Sequence, residues 1–260
     1  MAFNGVASRK KSCEHIGLYV WSSLLGLFII GALGALTQLP FFYFNRIEIA
    51  GETRVPKEEI IAELMSYPLK GPVSRFLGFN HFLLWSAPEV ALADARFARV
   101  AISRDLIHRT LRATVSDRAQ RIVWCVDSVH CVWADDDGIA FQNAPFAEGQ
   151  LVRAVTAETD EPLIFGRGVL PGEEFRRVRE IFNIIDSAAL PVAKTMLERA
   201  SGDLRIALVS GAELYFNVRI DPSFAVTALR ALVSRKDFGN TAYADFRVAR
   251  KVYYKMRGAH

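Results

Sequence analysis

Residues 16–39 read IGLYVWSSLLGLFIIGALGALTQL, 24 positions without a charged side chain. As an α-helix this stretch is roughly 36 Å long at 1.5 Å per residue, enough to cross a hydrocarbon core of about 30 Å. No face of it is polar, which argues against a buried amphipathic helix. It also exceeds the apolar region of a cleaved signal peptide, roughly 7–15 residues. Ala32-x-Gly34 supplies small residues of the kind a cleavage site needs, so removal stays open, but a retained signal-anchor is the better reading. Its small residues Gly26, Gly31, Ala32, Gly34 and Ala35 permit close approach of a neighbouring helix, without strict GxxxG spacing.

Working outward, the stretch divides the 260-residue chain into a short tail, 1–15, and a long C-terminal part. The tail carries Arg9, Lys10 and Lys11 against one acid, Glu14. A basic cluster beside a single apolar helix places that end in the cytoplasm and the long part outside. The same cluster read alone as a nucleic-acid patch is the weaker alternative, because it stands beside a membrane span. With 51% hydrophobic and 23% charged residues, the outer part has the composition of a packed protein.

After Pro40 the aromatic run FFYF suits a membrane–water interface. FNRIEIAGETRV then alternates, with Ile47 and Ile49 on one face and Gly51 closing a strand. Pro56, Glu58 and Glu59 open a helix with a stripe of Ile60, Ile61, Leu64 and Met65. Residues 70–80 read as loop. Ser86-Ala87-Pro88-Glu89 reads as a capping box for a second helix reaching Arg96. ARVAISRDL and RTLRATVSDR alternate as strands, which gives β-α-α-β-β over residues 40–118.

From residue 119 to 255 short strands dominate: RIVWCV, CVWA, GIAF and a strand-like EPLIF. A helix from Glu173 to Ala189 has the stripe Phe175, Val178, Ile181, Phe182, Ile185. LRIALV and ELYFNV form a hairpin about Ser210–Ala212, and Asp221-Pro222 starts another helix. TAYADFRVARKVYYK is one or two strands, and 256–260 a basic tail. The fold class is α+β: an N-terminal transmembrane helix, a small β-α-α-β-β unit and a sheet-rich unit with helices.

Candidate chemistry is sparse. Cys125 and Cys131 mirror each other about Ser128, so a hairpin there would put them opposite each other, able to bridge; two half-buried thiols are the other reading. Asp135–Asp137 lack the alternating ligands of a calcium loop and read as a solvated turn. His81, His108 and His130 show no metal-ligand spacing, and GxSxG, P-loop and SxxK motifs are absent. The reading is a non-enzymatic protein with no catalytic residues, metal, cofactor, nucleic acid or small-molecule substrate. A binding module is expected to use a sheet edge. The last strand, with faces Ala244/Phe246/Val248 and Tyr243/Asp245/Arg247/Ala249, is the candidate; an ordinary doubly paired strand is the competing reading.

Four stretches together resemble one family. FNRIEIAGETRVPKEEI, FARVAISRDLIHRTLRATVSDRAQRIVW, WADDDGIAF and AYADFRVARKVYYK are similar, in that order, to the bacterial cell-division proteins of the FtsQ/DivIB family. Departures are the absence of a proline near Ile107-His108, Asp117 where Glu is usual, and Phe246 in place of Leu; residues 143–171 match little. The resemblance implies a single-pass cytoplasmic-membrane protein at the division septum, with 40–118 a POTRA domain and 119–255 the family's β domain. It implies a scaffold that binds small bitopic proteins of the FtsB/FtsL type and other divisome membrane proteins, and helps control septal peptidoglycan synthesis. Strand pairing at the chain's end would engage Arg247, Val248, Arg250, Val252 and Tyr254, with strand Phe97–Asp105 as a second docking edge. A membrane-tethered extracytoplasmic enzyme and a POTRA protein of a translocation system are the alternatives.

Overall fold

The computed structural model describes residues 7–67, 72–127, 129–146, 152–159 and 161–258, and the side chains of 7–18 and 72–73 lie outside the description. The fold is mixed α+β: one N-terminal apolar helix, then a sheet-rich region. The helix, α1, is Ala7–Thr37. It starts well before the apolar run, so the basic cluster at residues 9–11 lies on the same helix. Its segment Tyr19–Thr37 is long and apolar enough to cross a membrane, and none of it is buried by the rest of the chain. Trp21, Leu27, Phe28 and Ile30 are all at least 66% exposed.

The chain divides into two compact units, one of residues 1–92 with 99–116, which includes α1, the other of 93–98 with 117–260. The first contains β1 (Arg46–Ala50), α2 (Lys57–Ser66), α3 (Pro72–Leu77), a 3-10 turn (Phe82–Trp85), β2 (Glu89–Val90), β3 (Phe97–Asp105) and β4 (Thr110–Asp117). The strands lie in the order β1-β4-β3-β2. β1 and β4 are parallel, Arg46 opposite Thr110 and Ala50 opposite Thr114. Ile60 and Leu64 of α2 are fully buried, in a unit whose other buried residues include Phe82, Trp85, Val100, Leu111 and Val115; Met65, expected in that stripe, is exposed. Gly51 must be glycine: its φ is 102°, and a Cβ would lie 2.1 Å from the Val115 carbonyl oxygen.

The helix expected over Ser86–Arg96 does not form. Pro88 pushes Ala87 toward extended backbone, and the Pro88 carbonyl accepts the Ile102 N–H at 2.8 Å. Glu89 and Val90 then pair with Ala101 and Val100 of β3. Strand pairing and burial of Val90 override the local helix propensity of Ala-Leu-Ala. The second helix is α3 instead, inside the stretch read as loop, with Pro72 at its first position.

The second unit is a nine-stranded mixed sheet, ordered β13-β12-β11-β10-β9-β8-β5-β6-β7. Its strands are β5 (Ile122–Cys125), β6 (Cys131–Ala134), β7 (Ala140–Asn143), β8 (Ala154–Glu158), β9 (Val192–Glu198), β10 (Asp203–Leu208), β11 (Glu213–Asn217), β12 (Thr241–Val248) and β13 (Lys251–Met256). Helix α4 (Gly172–Ser187) connects the parallel strands β8 and β9, and α5 (Ala225–Val233) connects the parallel strands β11 and β12. One continuous core joins Phe175, Val178, Ile181, Phe182 and Ile185 of α4 with Leu229 and Leu232 of α5 and alternate strand residues such as Trp124, Ile206, Leu214 and Phe246.

Two features differ from expectation here, and the hairpin reading of the cysteines holds. EPLIF is not a strand; the strands in that part of the sheet are β8, AVTAE, and β9, VAKTMLE. The Asp135–Asp137 turn is not simply solvated. Asp135 is buried, accepts the Asp137 and Ile139 N–H groups on Oδ1, and takes Arg118 on Oδ2. Arg179 and Arg121 hold Asp136. Gly138 (φ 79°) closes this turn, where a Cβ would stand 2.6 Å from the Phe175 ring. Cys125 and Cys131 are register partners on β5 and β6 and form a disulfide; Ser128 lies outside the described residues.

Candidate functional site: the open edge of the larger sheet

The expected edge is misplaced by one strand. β12, which carries TAYADFRV, pairs with β11 through Tyr243, Ala244 and Asp245 and with β13 on its other side. It is interior. Among the described residues the terminal strand β13 has no partner beyond β12. Its pairs are Thr241 with Met256, Tyr243 with Lys255, Ala244 with Tyr254, Asp245 with Tyr253 and Val248 with Lys251; the extra residues at the two irregular steps all belong to β12. β13 therefore keeps a regular pleat. The Arg257 N–H, just past its end, points inward to the Asn240 carbonyl at 2.7 Å. Alternation then sends the N–H groups of Val252, Tyr254 and Met256 outward, unpaired by any strand.

Side chains on the helix-covered face of this edge are Val252, which packs on the core, and Tyr254, 45% exposed. Arg235, just beyond α5, lies 5.3 Å from the Tyr254 ring and donates to its hydroxyl at 3.1 Å. Asp237 bonds the same guanidinium and so holds its own carboxyl below the usual range, with the Arg235 hydrogen bond the main cause. On the opposite face Tyr253 is 53% exposed, between the exposed Lys251 and Lys255.

Next to the edge, the open face of β10–β12 is a fixed polar-aromatic plate. Arg247 binds Asp203 and Asp245, both at 2.7 Å, and lies 5.2 Å from the Tyr215 ring. These carboxylates raise the Arg247 pKa, and Arg247 lowers that of Asp245. Arg205 and the Tyr215 hydroxyl both bond Glu213, lowering its pKa, and the Glu213 hydrogen bond raises that of Tyr215. Tyr215 meets Tyr243 edge-on at 6.1 Å.

The five residues expected at the interface thus share one hairpin but not one surface. Arg247 is committed to the plate. Val248, 44% exposed, ends β12. Arg250 sits in the turn at φ 62°, a conformation a non-glycine side chain adopts at a cost. Val252 and Tyr254 are on the edge itself. Sequence reasoning missed Tyr253, Lys251, Lys255 and Arg235; the short spacer Ala249-Arg250 between two alternating runs is the signal that separates β12 from β13. The other proposed edge, Phe97–Asp105, is partly covered, because β2 pairs only with Val100 and Ala101.

Elsewhere, a cleft of about 660 Å³ opens beside the disulfide hairpin. His130 lines it, and its Nδ1 lies 2.7 Å from Asp127 Oδ2, closing the hairpin turn, with Asp127 also accepting the Val129 and His130 N–H groups. These bonds, His130 first, lower the Asp127 pKa to about 2. Among the described residues no group of three or more His, Cys, Asp and Glu side chains comes together around a metal position. No protein-family model matches the chain, and no curated protein matches it.

Proposed function

We propose that this chain is a single-span membrane scaffold of the FtsQ/DivIB kind, which binds small bitopic division proteins by accepting a strand along β13. The observation that carries the reading is that edge: a regular terminal strand with outward N–H groups and exposed Tyr253 and Tyr254. Support comes also from α1, from the first unit's β-α-α-β-β order with one added two-residue strand, which fits a POTRA domain, and from the sheet-rich second unit. In this reading the basic start of α1 is cytoplasmic, both units are extracytoplasmic, and the protein acts at the septum without catalysis, coupling its partners to peptidoglycan synthesis.

The test is capture of partners by the full chain from membranes of the producing bacterium. Tyr254→Pro removes one outward donor, which an edge strand tolerates; Val248→Glu adds a charge at the end of the hairpin. Loss of small single-span partners from both variants, with unchanged thermal unfolding, supports the reading. Undiminished capture by Tyr254→Pro contradicts strand addition at β13.

A further inference from the structure

The first unit ends its sheet against the exit of α1, and the joint is built from specific bonds. His81, fully buried, has Nε2 2.8 Å from the Thr37 carbonyl oxygen and accepts the Leu83 N–H on Nδ1. That acceptor role fixes the tautomer, so Nε2–H is the donor to Thr37. The ring stacks on Phe42 and meets Tyr43 edge-on at 4.9 Å. The Arg109 guanidinium closes the other side, donating to the Tyr43 carbonyl and to Asn45 Oδ1. The unit is bonded to the last turn of the helix rather than hung from a free linker.

Depth follows from length. The segment Tyr19–Thr37 has 19 residues, roughly 28 Å of helix against a hydrocarbon core of about 30 Å. With that segment in the bilayer, Thr37 is at the hydrocarbon boundary, and whatever is bonded to it lies in the headgroup layer. The parallel pairing of Arg46 with Thr110 puts the start of β4, and therefore the β3–β4 turn, at the same end. Ile107 at the tip of that turn is 86% exposed and Leu106 39%; Leu83 is 49% exposed and Phe41 52%. The turn is pre-ordered, since Asp105 accepts the His108 N–H at 2.9 Å and bonds its ring at 2.7 Å. The opposite end of the sheet presents Glu52, Arg54 and Ser116, all exposed.

We infer that Ile107 and Leu106, with Leu83 and Phe41, insert into the interfacial layer of the bilayer that α1 spans, so that the first unit lies on the membrane in a fixed orientation. The occupant is lipid because Phe41 follows the span directly, Leu83 lies beside the His81 that is bonded to Thr37, and the β3–β4 turn stands at the same end of the sheet, whereas the far end presents Glu52, Arg54 and Ser116. This inference rests on the reading of α1 as a membrane span.

The experiment uses the full chain in phosphatidylethanolamine/phosphatidylglycerol vesicles, with Cys13→Ser and the Cys125–Cys131 disulfide intact. Nitroxide labels are placed singly through Ile107→Cys, Leu83→Cys, Glu52→Cys and Phe28→Cys, all exposed positions. Accessibility to oxygen and to a water-soluble nickel chelate reads depth. The expected result is a shift of Ile107 and Leu83 toward oxygen, intermediate between the deep Phe28 and the aqueous Glu52. Ile107 and Leu83 as aqueous as Glu52, with Phe28 deep, overturns the insertion while leaving the span intact. An aqueous Phe28 overturns the span itself.

Discussion

The two edges of the nine-stranded sheet are treated in opposite ways. At β7 the outer side is occupied: Ala140 donates to the Arg167 carbonyl and accepts the Gly166 N–H, and Ile139 forms a bridge to Gly168. The turn feeding β7 is fixed by Asp135, Arg118 and Gly138. At β13 nothing comparable among the described residues covers the strand. Its protection against pairing with another copy consists of Lys251 and Lys255, charges of the kind that discourage edge-to-edge aggregation. A sheet that covers one edge with its own loop and leaves the other bare, regular and tyrosine-lined is suited to receiving a strand on one side only.

Three substitutions and one titration sharpen the contrast. Arg118→Ala should have the largest effect on stability. It leaves the buried Asp135 without its cation, a loss of about 3–5 kcal/mol, read by urea unfolding of the full chain in detergent. Gly138→Ala comes next, at about 2–4 kcal/mol, from the left-handed φ and the overlap with Phe175. Both loosen the covered edge. Tyr254→Pro on the open edge, where the lost N–H lies outside the ladder, should destabilise least of the three, although it abolishes partner capture. Equal destabilisation by all three would mean that the two edges are structurally equivalent.

The smallest effect is acid sensitivity. Asp127, Glu213 and Asp245 all have folded pKa values below their usual ones. Each contributes stability that is present above its ordinary value and lost as the pH falls through the lowered one. For Asp127 that window runs from 3.8 down to about 2. Melting temperatures of the wild type should therefore fall in this range, and Asp127→Asn should flatten part of the fall.

Much of this organisation is readable from side-chain periodicity. The 3.6-residue stripe of α4 and the two faces of β12, Ala244/Phe246 inward and Asp245/Arg247 outward, follow from local pattern. Which strand is the edge does not, because it depends on partners far away in sequence: β11 reaches β12 only through the α5 crossover. β8 and β9 are recognisable only once α4 connects them, since AVTAE and VAKTMLE carry few large apolar residues. The Ser86–Arg96 stretch misleads for the same reason, as β3 captures Glu89 and Val90. His81 offers no motif; its role needs Thr37, which is 44 residues away.

The most direct test of the open-edge account is site-specific photo-crosslinking in intact cells, with the crosslinking side chain at Tyr253 on β13 or at Gln142 on β7. The account predicts an adduct from position 253 with a small single-span membrane protein, identified by mass spectrometry, and none from position 142. Adducts with that partner from position 142 and none from 253 would contradict it.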